Sequence, residues 1–313
     1  MSGHDKADAV SFTLLLIQCL NGLQYGMLLF LIAAGLTLVF GVMGFINLAH
    51  GVQYMVGAYL VFAFQQLTGS FVIAVFLSLA AALMLGLLLE QFIFRHLYDR
   101  DHLTQVLATF GIIIFLNELA KVVFGPGTLS IEPPEFLSGS IQLTEQLRYP
   151  VYRLVTIAAG LLVAAGLYIT VTRTRVGMLI RAGATTPEMV SALGVNVQKL
   201  FMIVFGVGAM LAGLAGVIAA PIFAIEPGMG DNILIIAFVV IIIGGIGSIR
   251  GAFLAALLVG LFDTVGRTLL VEGLEVVFPP SVSNQVGPAL ASMLIYILMA
   301  AILVVRPQGL LTA

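Results

Sequence analysis

The sequence predicts an all-α fold: a polytopic transmembrane helical bundle of about 8–10 spans, with one or more broken helices and a short helix on its cytoplasmic side. Three observations predict it. Of 313 residues, 61% are hydrophobic and 9% charged, against about 25% charged in a soluble domain, so most apolar side chains must meet lipid or other spans. The apolar residues fall in runs of roughly the 20 needed to cross a bilayer. The intervals between those runs are too short for a soluble catalytic domain.

Nine candidate spans follow in order: about 12–40, 45–67, 71–93, 104–124, 152–172, 200–222, 233–247, 252–270 and 287–305. They make one transmembrane domain over 12–305, between a short polar tail at 1–11 and a C-terminal tail at 306–313. The first run exceeds the apolar core of about 7–15 residues in a signal peptide and lacks a cleavage site, so it is expected to remain as a span. The first and second runs are joined by little more than Gly41-Val42-Met43-Gly44. The seventh is short and separated from the eighth by Gly247-Ser248-Ile249-Arg250-Gly251, a tight hairpin or a broken helix. Gly41-x-x-Gly44-x-Ile46 is echoed by Gly244-x-x-Gly247-x-Ile249, a pattern that an internal duplication would leave. In the sixth run Ala209, Ala212, Gly213, Ala215, Gly216 and Ala219 give overlapping small-x-x-x-small pairs, read as close helix packing.

Basic residues in short loops set the orientation. Arg95 and Arg100 follow the third run, Arg173, Arg175, Arg181 and Lys199 occupy the 173–199 segment, and Arg306 follows the last run. The alternate loops, 125–151 and 271–286, carry Glu132, Glu135, Glu145, Glu272 and Glu275. Nine spans therefore put the basic loops in the cytoplasm and the N-terminus outside; one re-entrant segment would reverse the parity.

Several functions are excluded. A net charge of −2 gives no general attraction to nucleic acid. Cys19 is the only cysteine, so it forms no intrachain disulfide or thiolate metal cluster and is read as a packing residue. No G-x-x-x-x-G-K-[ST] phosphate loop is present, so any ATPase must be another chain.

Three groups of residues carry the functional reading. Within 173–199, Thr186 is placed to cap a helix, Pro187 suits its first position, Glu188 its first turn, and Gly194 stops it. A helix of about two turns over 187–193 would expose Met189 and Leu193, flanked by Arg175, Arg181 and Lys199. It is either a docking element for a partner or a surface helix packed on its own bundle. Asn47, His50, Gly51 and Tyr54 share one helical face by spacing; they line a solute path near a helix break, or they hydrogen-bond between helices. His50 has no ionisable sequence neighbour to serve a proton relay. Asn21 and Gln24 are further candidates for the path, among scattered polar residues that include Asn117, Glu118 and Asp263. Glu118 and Lys121 are expected to pair. Glu226 and Asp231 bracket Pro227-Gly228 on the outer side, as solvated charges or as contacts for a delivery protein.

The run Phe40-Gly-Val-Met-Gly-Phe-Ile-Asn-Leu-Ala-His-Gly51, the segment Arg175-Val-Gly-Met178 with Arg181-Ala182, Thr186-Pro-Glu188 and Leu193-Gly-Val195, and Gly244-Gly-Ile-Gly-Ser-Ile-Arg-Gly-Ala252 resemble the branched-chain amino acid ABC importer permeases of the Liv-H type. Arg306-Pro-Gln-Gly-Leu310 fits as well. The resemblance spans nearly the whole chain. It implies a multi-pass permease of the bacterial inner membrane with no enzyme activity, no bound cofactor and no metal of its own. Its implied partners are a second homologous permease subunit, two cytoplasmic ATP-binding subunits that use the ATP, and a periplasmic substrate-binding protein. The ATPase would grip Arg181, Thr186, Pro187, Glu188, Met189, Leu193 and Gly194. Branched-chain amino acids are the implied cargo, with urea, amides, aromatic or other neutral amino acids as alternatives carried by relatives. The rival classes are an ion-coupled secondary transporter, which would want acids within its spans, and a passive channel, which needs no docking helix.

Overall fold

The computed structural model describes residues 3–144 and 147–311, with side chains described over 13–143 and 147–311. Each of the nine apolar runs forms a helix. In order they are α1 (Gly3–Met43), α2 (His50–Thr68), α3 (Phe71–Phe92), α4 (His102–Phe124), α5 (Val151–Arg173), then the short α6 (Arg175–Thr185) and α7 (Pro187–Ala192), and α8 (Val197–Ala219), α9 (Met229–Gly244), α10 (Ile249–Glu275) and α11 (Pro280–Val305). Among the described residues seven of these are long and apolar enough to span a membrane. The other two are the ones bounded by breaks. The 16 residues of α9 extend only about 24 Å at 1.5 Å per residue, short of the roughly 30 Å hydrocarbon core. The 19-residue α2 carries His50, Gln53, Gln65 and Gln66, which dilute its apolar character.

Helix α1 begins at Gly3 and so takes in most of the stretch read as a polar tail. The outer loop read over 125–151 ends in a small antiparallel hairpin, β1 (Ser140–Thr144) and β2 (Leu147–Pro150), pairing Ile141 with Tyr149. No strand was expected there. The 173–199 segment holds two helices rather than one, because Thr174 caps α6 by accepting the Gly177 N–H.

Contacts sort the connections to two ends. At one end, Tyr98 packs edge-on to Phe45 at 5.7 Å and to Phe201 at 5.9 Å, joining the α1–α2 break, the α3–α4 connection and the start of α8. Gly41 abuts Gly247 there, and the chain end folds over the α9–α10 junction, with Leu310 N–H donating to the Ile243 carbonyl at 2.8 Å and Leu311 N–H to that of Gly244 at 3.1 Å. This end carries Arg95, Arg100, Arg175, Arg181 and Arg306. At the other end the backbones of Leu129 and Ile225 pair, and the Asn117 side chain accepts from Gly228 N–H at 3.2 Å. The two glycine motifs that echo each other in sequence lie side by side at the basic end. Their second glycines, Gly44 and Gly247, both adopt left-handed φ, +63° and +83°, where a side chain would be strained.

The core is the buried length of α1 with α8, α9 and α10 around it. Where lipid removes the hydrophobic drive, small residues let backbones touch. A Cβ added at Gly216 would overlap the Tyr54 carbonyl oxygen, while Gly166 on α5 has nothing within 4 Å of that position. Gly216→Ala is therefore expected to destabilise the protein by about 1–3 kcal/mol. Gly166→Ala should be neutral or stabilising by up to about 1 kcal/mol, and thermal unfolding in detergent checks the pair.

Candidate functional site: a polar helix break in the bundle

Between α1 and α2 the chain runs without helical structure through 44–47 and turns at 48–49. Asn47 therefore lies in a turn, with its carbonyl accepting the His50 N–H at 3.3 Å. It does not share the α2 face with His50, Gly51 and Tyr54, as spacing alone suggested; α2 takes up helical form only at His50, after the turn at 48–49, so the helical spacing does not reach back to Asn47. Asn47 and His50 are nonetheless wholly buried, at 0% exposure, while Leu48 between them is half-buried.

His50 Nε2–H donates to the Ile32 carbonyl of α1 at 3.1 Å, which fixes the tautomer and leaves Nδ1 as an acceptor. The ring reaches that carbonyl because Gly35 offers no side chain: a Cβ there would stand 3.0 Å from the imidazole. Gly51 lies against the Gly230 carbonyl of α9, and Tyr54 against Gly216 of α8. Helices α1, α8 and α9 thus converge on the first two turns of α2.

Around this turn buried polar atoms lack partners. Both side-chain atoms of Asn47 have none, nor does Thr37 Oγ1 on α1. Nδ1 of His50 and the Gln53 amide face each other without a bond of ordinary geometry. Gln24 Nε2, eight residues and so about 12 Å along α1 from the Ile32 contact, is unpaired at a separate point. Buried polar groups are paired in the great majority of cases, and an unpaired one costs about 1–3 kcal/mol. Such a concentration beside a helix break fits a lining for a polar guest. Asn47, His50 and Gln53 offer neutral donors and acceptors with no fixed charge, suited to passing hydrogen bonds rather than firm capture. Gln53 was missed in the sequence, although its three-residue spacing from His50 was a usable signal.

The other expected residues separate. Asn21 Oδ1 accepts from the Tyr149 hydroxyl at 3.2 Å and from Arg153 Nη1. It ties α1 to β2 and α5, 11 residues and so about 16 Å along α1 from the His50 contact, as a brace rather than part of the polar turn. Glu118 and Lys121 do pair, at 2.6 Å, on an exposed surface. Asp263, read from sequence only as scattered polarity, is bound by Arg267 at 2.7 Å, one turn along α10.

The second site is the connection after α5. Arg181 Nη1 donates to the Val171 carbonyl and Gly177 fits against the carbonyls of Thr170 and Val171, folding α6 back on α5. In α7 Pro187 takes the first helical position and Gly194 the left-handed stop at φ +88°. Thr186 stands at the cap position, but its side chain makes no cap bond, since its backbone at φ −143°, ψ 71° departs from the usual cap geometry. Val190 is buried and anchors the helix, while Met189 and Leu193 are 65% and 80% exposed.

A helical bundle with a polar break in its interior and an exposed, apolar-tipped helix at its basic end is a membrane permease in form. The comparisons give the particular family: a sequence profile described as the branched-chain amino acid transport system permease component matches residues 18–303, and the chain belongs to that family. It is 32% identical over 263 residues to the high-affinity branched-chain amino acid transport system permease protein BraD of Pseudomonas aeruginosa, covering 80% of this chain and 85% of that one. It is 29% identical over 279 residues to LivH of Escherichia coli K12, covering 83% and 88%. A probable LivH of Methanocaldococcus jannaschii is 26% identical over 253 residues, covering 77% and 78%. No solved structure matches. The protein is accordingly a multi-pass inner-membrane transport permease.

Replacing Asn21 with Leu leaves Tyr149 and Arg153 without their acceptor. It is expected to lower stability by about 1–3 kcal/mol while leaving the KM for transported solute within error, as thermal unfolding and uptake assays together would show.

Proposed function

We propose that the chain is one of two related permease subunits of an ATP-driven importer of branched-chain or similar neutral amino acids. Two cytoplasmic ATP-binding subunits supply the energy, and a periplasmic binding protein delivers the substrate. The names of the relatives support the cargo and the permease role. The observation that carries the coupling is the exposed α7 helix. Met189 and Leu193 present bare apolar knobs beside Glu188, and Val190 fixes the helix to the bundle, so a push on α7 reaches the spans.

In this reading the basic end faces the cytoplasm, following the excess of Lys and Arg there. Closure of the ATPases moves α6 and α7 as a rigid elbow held by the Arg181–Val171 bond. The spans attached to it then shift between outward-open and inward-open arrangements. The polar turn at Asn47 and His50 offers substrate weak hydrogen bonds during passage, since selection has already been made by the binding protein. All chemistry of ATP stays in the partners.

Two experiments test this. Glu188→Arg and Leu193→Asp should each reduce copurification of the ATP-binding subunits by at least about tenfold, the equivalent of 1.4 kcal/mol, with membrane insertion unchanged. Normal association in both variants would refute docking on α7. Asn47→Leu should keep the complex intact but cut ATP-driven leucine uptake in proteoliposomes, and wild-type uptake in that variant would remove the turn from the path.

A further inference from the structure

Between the polar turn and the basic end lies a cluster of five aromatic rings that the transport reading does not by itself require. Phe45 comes from the α1–α2 break, Phe94 and Tyr98 from the α3–α4 connection, Phe201 and Phe205 from the first turns of α8. Phe45 meets Phe94 at 5.2 Å between centroids, Phe94 meets Phe205 at 4.7 Å, and Tyr98 bridges Phe45 and Phe201. Phe45, Phe94 and Phe205 are wholly buried. Phe45 lies two residues from Asn47, on the basic-end side of it. Anything leaving the polar turn toward that end meets these rings first.

The cluster has a fastening. Glu90, near the end of α3, is 1% exposed; its Oε1 accepts from the Tyr98 hydroxyl at 3.3 Å, and its Oε2 has no partner. An acid buried within an apolar span is expensive and marks a functional position. The cluster also has a means of movement. Helix α8 starts at Val197, three residues past Gly194, so whatever displaces α7 pulls directly on the helix that bears Phe201 and Phe205. On the α3 side, Gly86 lies against Gly206 and the Ala209 methyl of α8, and the Leu83 and Leu87 side chains seat over Gly206, so the start of α8 is in close contact with the helix that leads to Phe94 and Tyr98.

We propose that Phe45, Phe94, Tyr98, Phe201 and Phe205 form the closed cytoplasmic gate of the path, with the Glu90–Tyr98 bond as its latch and α8 as the arm through which the coupling helix opens it. The proposal rests on the importer reading above. A dry aromatic constriction stops a polar amino acid because the solute would shed its water without replacement hydrogen bonds. Because the rings come from three chain segments, displacing α8 alone parts them.

The test uses the whole complex, with ATP-binding subunits, in proteoliposomes preloaded with radiolabelled leucine and given no ATP. Phe205→Ala and the milder Phe205→Leu are expected to speed leucine efflux over wild type, the former by roughly tenfold. Tyr98→Phe, which removes one hydroxyl, should raise efflux by a smaller factor. Protein-free vesicles set the baseline, and copurified ATPase certifies assembly. Wild-type efflux from assembled Phe205→Ala complexes would overturn the gate, and unchanged efflux in Tyr98→Phe would overturn the latch. Wild-type complexes that import no leucine with ATP would instead sink the importer reading, a separate result.

Discussion

Backbone polar groups inside a bilayer must find partners within the protein, and the interruption between α1 and α2 is where that constraint bears hardest here. The chain leaves helical form at the exposed Gly44 and regains it at the wholly buried His50, so the break leads from the surface into the bundle. It is tolerable only because α1, α8 and α9 close around it at glycines: Gly35 admits the His50 ring to the Ile32 carbonyl, and Gly230 admits the backbone at Gly51. A polar turn placed in this way is both a structural liability and a place where a solute finds a group of free hydrogen-bonding atoms. The site and the packing that shelters it are the same arrangement.

The rest of the bundle divides into parts braced at both sides and a part that leads to the exposed α7. The end opposite the basic one is braced by Asn21, Tyr149 and Arg153 and by the pairing of Leu129 with Ile225. The α9–α10 junction is fastened by the chain end, whose Leu310 and Leu311 amides satisfy the last carbonyls of α9. Beyond these braces, α8 packs along α3 with Leu83 and Leu87 seated over Gly206, and it begins directly after the exposed α7. Force applied at the basic end would thus be spent on α8 and its rings before it disturbed those braces.

Much of the fold was legible because hydrophobic runs and basic loops are one-dimensional signals: all nine runs became helices, and both breaks fell at the glycines expected. Pro187 and Gly194 bounded α7 by backbone chemistry that acts locally. What the sequence hid depended on phase or on distant partners. Asn47 left the helical face because α2 begins only at His50, and Asn21 found its partners more than a hundred residues away. The hairpin at 140–150 carries no alternation strong enough to announce it. Glu90 stood in plain view as an acid within an apolar run, yet only the structure supplied Tyr98 as its mate.

The most direct measurement of the central claim is the structure of the assembled complex with and without ATP. Contact between the ATP-binding subunits and Met189 and Leu193, together with a Phe94–Phe205 separation that lengthens from 4.7 Å as α8 shifts, is the result the account requires. An α7 helix that touches no neighbour, or that lies on the periplasmic side, would contradict it.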